Sequence, residues 1–151
     1  MGLFCSIVNE VNTQQSLYER IGGRGGIALL LRHFYSDVRQ HTLLGPIFEQ
    51  QIDDWPVHME KIGSFWARVT GGPSEYSGQM PAKHLNLGIE ARHFAAWLQL
   101  WSFNCSSYLK QDEAREMITL AHEVGKRLKN ILGVESPTRA AFDVRNASFQ
   151  K

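Results

Sequence analysis

The sequence predicts an all-α, single-domain protein, and three observations carry that reading. Apolar residues recur at steps of three and four through four long segments, the period of an amphipathic helix. Strand-like alternation rarely lasts four residues. Pairs and runs rich in glycine and proline fall between the apolar stripes. At 151 residues the chain has room for one domain around one core.

Taken in order, residues 1–12 hold a small apolar cluster without a basic start or a cleavage-site run, and read as an arm. A short helix is expected over 13–20, capped by Thr13 and broken at Gly22-Gly23. Residues 26–40 place Ile27, Leu30, Leu31, Phe34, Tyr35 and Val38 on one helical stripe. Gly45-Pro46 ends that region and starts a tight corner carrying Ile47 and Phe48. The next helix starts at Asp53 or Asp54, which puts Pro56 in the first turn, where its missing N–H costs little. His58, Ile62, Phe65, Trp66 and Val69 share its face, and Gly71-Gly72-Pro73 stops it.

Residues 73–88 read as a long loop with at most one or two helical turns, a length that in a compact domain usually marks function. Helix resumes over 90–109, with Phe94, Trp97, Leu98, Trp101 and Cys105 inward. A last helix over 112–132 turns Met117, Ile118, Ala121, Val124, Leu128 and Ile131 inward and ends at Gly133. Residues 134–151 lack a period and read as a loosely held tail. The expected division is thus 1–12 arm, 13–133 domain, 134–151 tail.

Composition narrows the function classes. Hydrophobic residues at 43% and charged residues at 21% are ordinary for a globular chain. A net charge of +1 gives no reason to expect nucleic acid or an anionic membrane surface as partner. No apolar run approaches the roughly 20 residues a bilayer span needs, so no membrane insertion is expected. The cysteines, Cys5 and Cys105, suit a reducing, cytoplasmic setting with free thiols, and Cys105 reads as a small core residue.

The informative constellation is Tyr35, Phe48, His58, His84 and Trp97. Each lies on an expected inward face or just after one, and Tyr35, His58 and Trp97 bring N–H or O–H donors to an apolar wall. His84 sits in Met80-Pro81-Ala82-Lys83-His84-Leu85-Asn86-Leu87, where apolar flanks favour a neutral, metal-binding imidazole. Haem needs little more: an axial ligand, a flat apolar slot and control of the open iron face. Phe48 suits stacking on such a ring, and Phe65, Trp66 and Leu87 supply further wall. Tyr35, His58 and Trp97, with Ile62 beside them, suit the opposite side, and Lys61 and Lys83 can reach haem carboxylates at the surface.

Blander readings compete. A lone histidine on an apolar face is more often a hydrogen-bonded core residue, and an aromatic at helical spacing is more often plain core. His33, His41, His93 and His122 are read as surface or structural residues without a ligand role. The run Gly22-Gly23-Arg24-Gly25-Gly26 has no preceding strand and no Walker pattern, which makes a helix–helix corner of it rather than a phosphate loop. No carboxylate pair is placed for acid–base work, and no Ser-His-Asp order stands out.

Several ordered segments resemble the truncated, two-over-two haemoglobins, most closely group III. They are His33-Phe34-Tyr35 with Leu44-Gly45-Pro46-Ile47-Phe48; Trp55-x-x-His58 with Ile62-Gly63-x-Phe65-Trp66; Tyr76-x-Gly78-Gln79; Lys83-His84-Leu85-x-Leu87; and His93-Phe94-x-x-Trp97-Leu98-x-Leu100. The likeness spans about residues 17–132, and Leu17-Tyr18-Glu19-Arg20-Ile21-Gly22-Gly23 resembles the opening of groups I and II instead.

The resemblance implies a globin-like fold, a sandwich of helices B/E over G/H around haem b. It implies His84 as proximal iron ligand and Phe48 as the haem-stacking residue of the CD corner. It also implies Tyr35, His58 and Trp97 as the distal B-helix, E-helix and G-helix residues. The implied ligands are O2, NO and CO. A donor-rich pocket suits ligand retention and NO-detoxifying or peroxidase-like chemistry better than oxygen transport, with an external reductase supplying electrons. Two alternatives are a haem-based gas or redox sensor that docks through its terminal segments, and a cofactor-free helical interaction domain.

Overall fold

The computed structural model describes residues 15–134, and among these the regular structure is entirely helical. The expected arm, Cys5, the Thr13 cap and nearly all of the expected tail lie outside the described residues.

Helix α1 (Leu17–Arg20) is capped by Ser16, whose hydroxyl accepts the Glu19 N–H at 3.2 Å. It is shorter than the expected 13–20, because residues 15 and 16 are already outside the helix. Arg20 ties it to the last helix, its Nη2 donating to Glu116 Oε1 at 2.8 Å.

Helix α2 (Gly23–Gln40) starts three residues earlier than the apolar stripe suggests. The glycine run both turns the corner and enters the helix. Gly22 adopts φ 95°, a left-handed conformation that glycine takes without steric cost. At Gly26 the chain doubles back so closely that a Cβ would overlap the Ile21 carbonyl. All six predicted stripe residues, Ile27 to Val38, are buried.

The expected tight corner is a two-turn helix, α3 (Gly45–Gln51), with Pro46 in its first turn, where no N–H is required. Helix α4 (Trp55–Thr70) begins as expected: Asp54 caps it, accepting the Val57 N–H at 3.1 Å, and Gly71 ends it at φ 93°. Between residues 71 and 90 the one helical turn is α5 (Met80–Lys83). Helices α6 (Ala91–Tyr108) and α7 (Gln111–Leu132) complete the order. Ile131, expected inward, is 58% exposed. With 22 residues against 18, α7 outlasts its neighbour α6 and leaves its last turn uncovered.

Helix α2 packs on α4 and on α6, and α6 packs on α7, a two-over-two arrangement. The helices meet in aromatic rings. Trp101 stacks on Trp66 at 4.4 Å and on Trp97 at 5.7 Å, and Phe34 meets Trp101 edge-on at 5.0 Å. The Trp101 Nε1–H, fully buried, donates to the Met117 carbonyl at 3.1 Å. Arg24 lies across Gly63 and donates to the Glu60 carbonyl at 2.7 Å; a Cβ on Gly63 would stand 2.9 Å from the guanidinium carbon. Cys105 is a buried core residue as expected, its thiol pushed up to about 12 by burial and so kept protonated. No helix among the described residues is long and apolar enough to cross a membrane.

The corner yields a paired test. Gly26→Ala forces backbone apart and should cost about 1–3 kcal/mol. Gly25→Ala, where a Cβ meets nothing within 4 Å, should gain roughly 0.5–1 kcal/mol from helix propensity. Urea unfolding of the two variants checks this; equal midpoints would reject the close-approach account.

Candidate functional site

Between the two helix layers lies a cavity that encloses about 860 Å³ together with the solvent at its mouth. One wall is Tyr35 from α2 with His58, Ile62, Phe65 and Trp66 from α4; these α4 residues recur at steps of one to four, which brings them to one face. Leu44, Ile47 and Phe48 close the α3 end. His84 stands with Met80 and Ile89 on the side formed by α5, and His93, Phe94, Trp97, Val124, Gly125 and Leu128 from α6 and α7 form the floor.

The sequence-predicted residues Tyr35, Phe48, His58, Ile62, Phe65, Trp66, His84 and Trp97 therefore all line one cavity. Leu87 does not; Ile89 lines it instead. The helical period that would carry Leu87 inward is broken after α5, by Asn86 at φ 64° and Gly88 at φ 69°. Lys61 and Lys83 are exposed, each next in sequence to a lining residue, and neither is itself part of the wall.

Sequence reasoning gave His93 no ligand role, and the structure shows what it does. It is buried, and its Nδ1 accepts the Glu90 N–H at 2.9 Å, which closes a reciprocal cap at the start of α6. Its ring also lines the cavity. The spacing of 93, 97 and 101 at steps of four carried that signal. Val124, Gly125 and Leu128 are likewise one stripe of α7, where a Cβ on Gly125 would make only ordinary contact with Phe94, at 3.9 Å.

The two cavity-lining histidines, His58 on α4 and His84 at the end of α5, differ in chemistry. His84 Nδ1 lies 2.7 Å from the Met80 carbonyl. A carbonyl only accepts, so Nδ1 carries the proton there, and in the tautomer this bond selects the lone pair is on Nε2, available to a metal. His58 Nε2 is buried and has no hydrogen-bond partner among the described residues. Burial, reinforced by the positive charge of Lys61, holds the His58 ring below the ordinary histidine range, so it favours the neutral form. Burial also pushes the Tyr35 hydroxyl well above the ordinary tyrosine range and keeps it a donor.

A metal held by one histidine in an apolar cavity must bring its remaining ligands with it, as a porphyrin does. The residues present fit such a group: in one apolar, aromatic-lined cavity they bring the His84 Nε2, a buried His58 Nε2 with no partner among the described residues, and the protonated Tyr35 phenol.

Fold and cavity together define a globin of the two-over-two type, and comparison with known proteins agrees. A family model described as bacterial-like globin matches residues 16–126. The chain is 32% identical over 111 residues to the group 3 truncated hemoglobin ctb of Campylobacter jejuni, covering 70% of this chain and 87% of that one. It is 28% identical over 82 residues to the group 1 truncated hemoglobin GlbN of Nostoc commune, 54% of this chain and 68% of the relative. The crystal structure of the Campylobacter jejuni group III protein superposes with a TM-score of 0.69, at 31% identity over 73% of this chain and 91% of that chain. The group II truncated hemoglobin of Bacillus anthracis gives 0.68 at 25% identity, over 81% and 92%. The chain belongs to the truncated haemoglobin family, which implies haem-based binding of small ligands.

The His58 environment sets a pH dependence. Its folded-state pKa is depressed, so below about pH 6.5 the unfolded chain takes up a proton that the folded chain resists. Stability is then full above that pH and falls as pH drops toward the folded value. In the haem-free chain the urea midpoint should fall on going from about pH 7.5 to about pH 5, and the fall should be smaller in His58→Leu. An identical fall in both proteins would refute a neutral, buried His58.

Proposed function

We propose that the chain binds haem b in this cavity through His84 Nε2 and holds O2, NO or CO on the side of Tyr35, His58 and Trp97. The observation that carries this is that two histidines with different bonding, His58 from α4 and His84 at the end of α5, line one apolar cavity. His84 has its Nε2 released by the 2.7 Å bond from Nδ1 to the Met80 carbonyl, whereas His58 has a buried Nε2 with no partner among the described residues. Bound there, the haem iron supplies an open coordination position for a diatomic ligand.

The chain's own residues then divide the work. Met80 orients the His84 ring and keeps the proton on Nδ1. Phe48, Phe65 and Trp66 exclude water and pack the macrocycle. Lys61 and Lys83, exposed beside the cavity, pair with the haem carboxylates. Tyr35, His58 and Trp97 present donors to a ligand that carries partial negative charge. A hydrogen bond to a charged group contributes about 1.5–3 kcal/mol, and each 1.4 kcal/mol is about tenfold in a rate or affinity, so two such bonds slow ligand loss by a few orders of magnitude. Retention of that strength suits NO detoxification or peroxide reduction, with a separate reductase returning electrons.

Visible spectra of the ferric, ferrous and carbonyl forms after reconstitution test the cofactor; a missing Soret band would end the proposal. His84→Ala should abolish the five-coordinate spectrum. Tyr35→Phe and Trp97→Leu should each change the O2 dissociation rate several-fold, roughly the 1 kcal/mol scale of one hydrogen bond. Stopped-flow measurement decides, and unchanged rates in both would remove the distal role.

A further inference from the structure

The rings of Tyr35, Trp55 and His58 form a nearly equilateral triangle, with centroids 5.8, 5.7 and 5.7 Å apart. His58 stands almost perpendicular to both partners, at 86° to Tyr35 and 85° to Trp55. Two corners, Tyr35 and His58, line the cavity; Trp55, half-buried, forms the outer corner and does not. Over Trp55 lies the Arg39 guanidinium, 4.3 Å from the ring centroid. Glu49 holds that guanidinium through Nε at 2.8 Å. Three helices thus converge on one indole: α2 through Arg39, α3 through Glu49, and α4, whose first residue is Trp55 itself.

We propose that Trp55, clamped by Arg39 and Glu49, is the outer bolt of the cavity: it holds His58 across the ligand's way in and so sets the rate of ligand entry. This rests on the reading of His58 as a residue on the ligand side. Among the described residues no hydrogen bond fixes the His58 Nε2, so ring packing is what restrains this end of the side chain. On the inner side Tyr35 is buried and pinned by Phe34 and Phe48. On the outer side the restraint is Trp55, one turn before His58 on α4, under an ion pair in which both side chains are nearly half exposed. The outer restraint is the one that can yield, and an outward swing of His58 needs it to yield. Trp55, Arg39 and Glu49 act through His58 and are positioning residues.

The test is CO rebinding after flash photolysis in the haem-loaded full chain, with the ferrous Soret band and the melting temperature recorded for each variant. Trp55→Ala should accelerate bimolecular association about tenfold, the scale of one cation–π contact with its packing. Arg39→Ala and Glu49→Gln should move the rate in the same direction by a smaller factor. Trp55→Phe and Arg39→Lys, which keep a ring and a cation, should stay near the parent rate. Should Trp55→Ala not fold, the exposed pair Arg39→Ala and Glu49→Gln decides alone. A lowered melting temperature with unchanged association in these variants makes Trp55 simple packing and overturns the proposal. If the parent chain shows no Soret band, the haem reading fails first and the bolt with it; a normal Soret band with unaltered rates rejects the bolt alone.

Discussion

Trp101 is the side chain on which the four long helices converge. It belongs to α6, stacks on Trp66 of α4, receives the edge of Phe34 from α2, and bonds the Met117 carbonyl of α7. A buried indole is rigid, with two rotatable bonds, and its N–H must find an acceptor. Satisfying stacking and hydrogen bond together leaves little freedom in how the two helix layers cross. The cavity inherits that rigidity. Trp66 and Trp97, which flank Trp101, are also cavity wall, and Tyr35 follows Phe34 in sequence. The donor-bearing side is therefore an outgrowth of the core, placed by the same contacts that hold the helices together.

The segment that carries His84 is built differently. His84 stands at the end of a single helical turn, within a stretch from Gly71 to Glu90 that has little other regular structure. Its orientation depends on a local bond to the Met80 carbonyl four residues back. A segment with few packing partners is a low-stability unit that a bound group can order. Under the proposed function, the donors to the bound ligand sit on long helices, and the proposed iron ligand, His84, sits at the end of a single helical turn.

Much of this was legible in the residues. Each long helix carries a stripe at steps of three and four, and its ends carry chemical marks such as Asp54 before Trp55, or Gly71 and Gly133 in left-handed conformations. Eight side chains singled out from sequence line the cavity, because a stripe that faces the core also faces any cavity within it. The readings that needed revision lie where periodicity stops. Gly23, Gly25 and Gly26 lie inside α2 although glycine weakens helices: Gly23 has a positive φ and Gly26 closely approaches the Ile21 carbonyl, whereas Gly25 faces open space. Leu87 leaves the wall because Asn86 and Gly88 turn the chain. His93, on the same face as Trp97, joins the wall while also capping its own helix.

By itself the sequence determined the helices, their inward faces and the residue types available for a site, since local propensity and hydrophobic period are written in neighbouring residues. The ordered segments also determined the family. Only the tertiary structure decided what those residues became. It buried His58 Nε2 without a partner among the described residues. It also brought Arg39, Glu49 and Trp55 together from three helices. Such relations join positions that share no local pattern, and they exist only once the helices have crossed at the angles their buried rings allow.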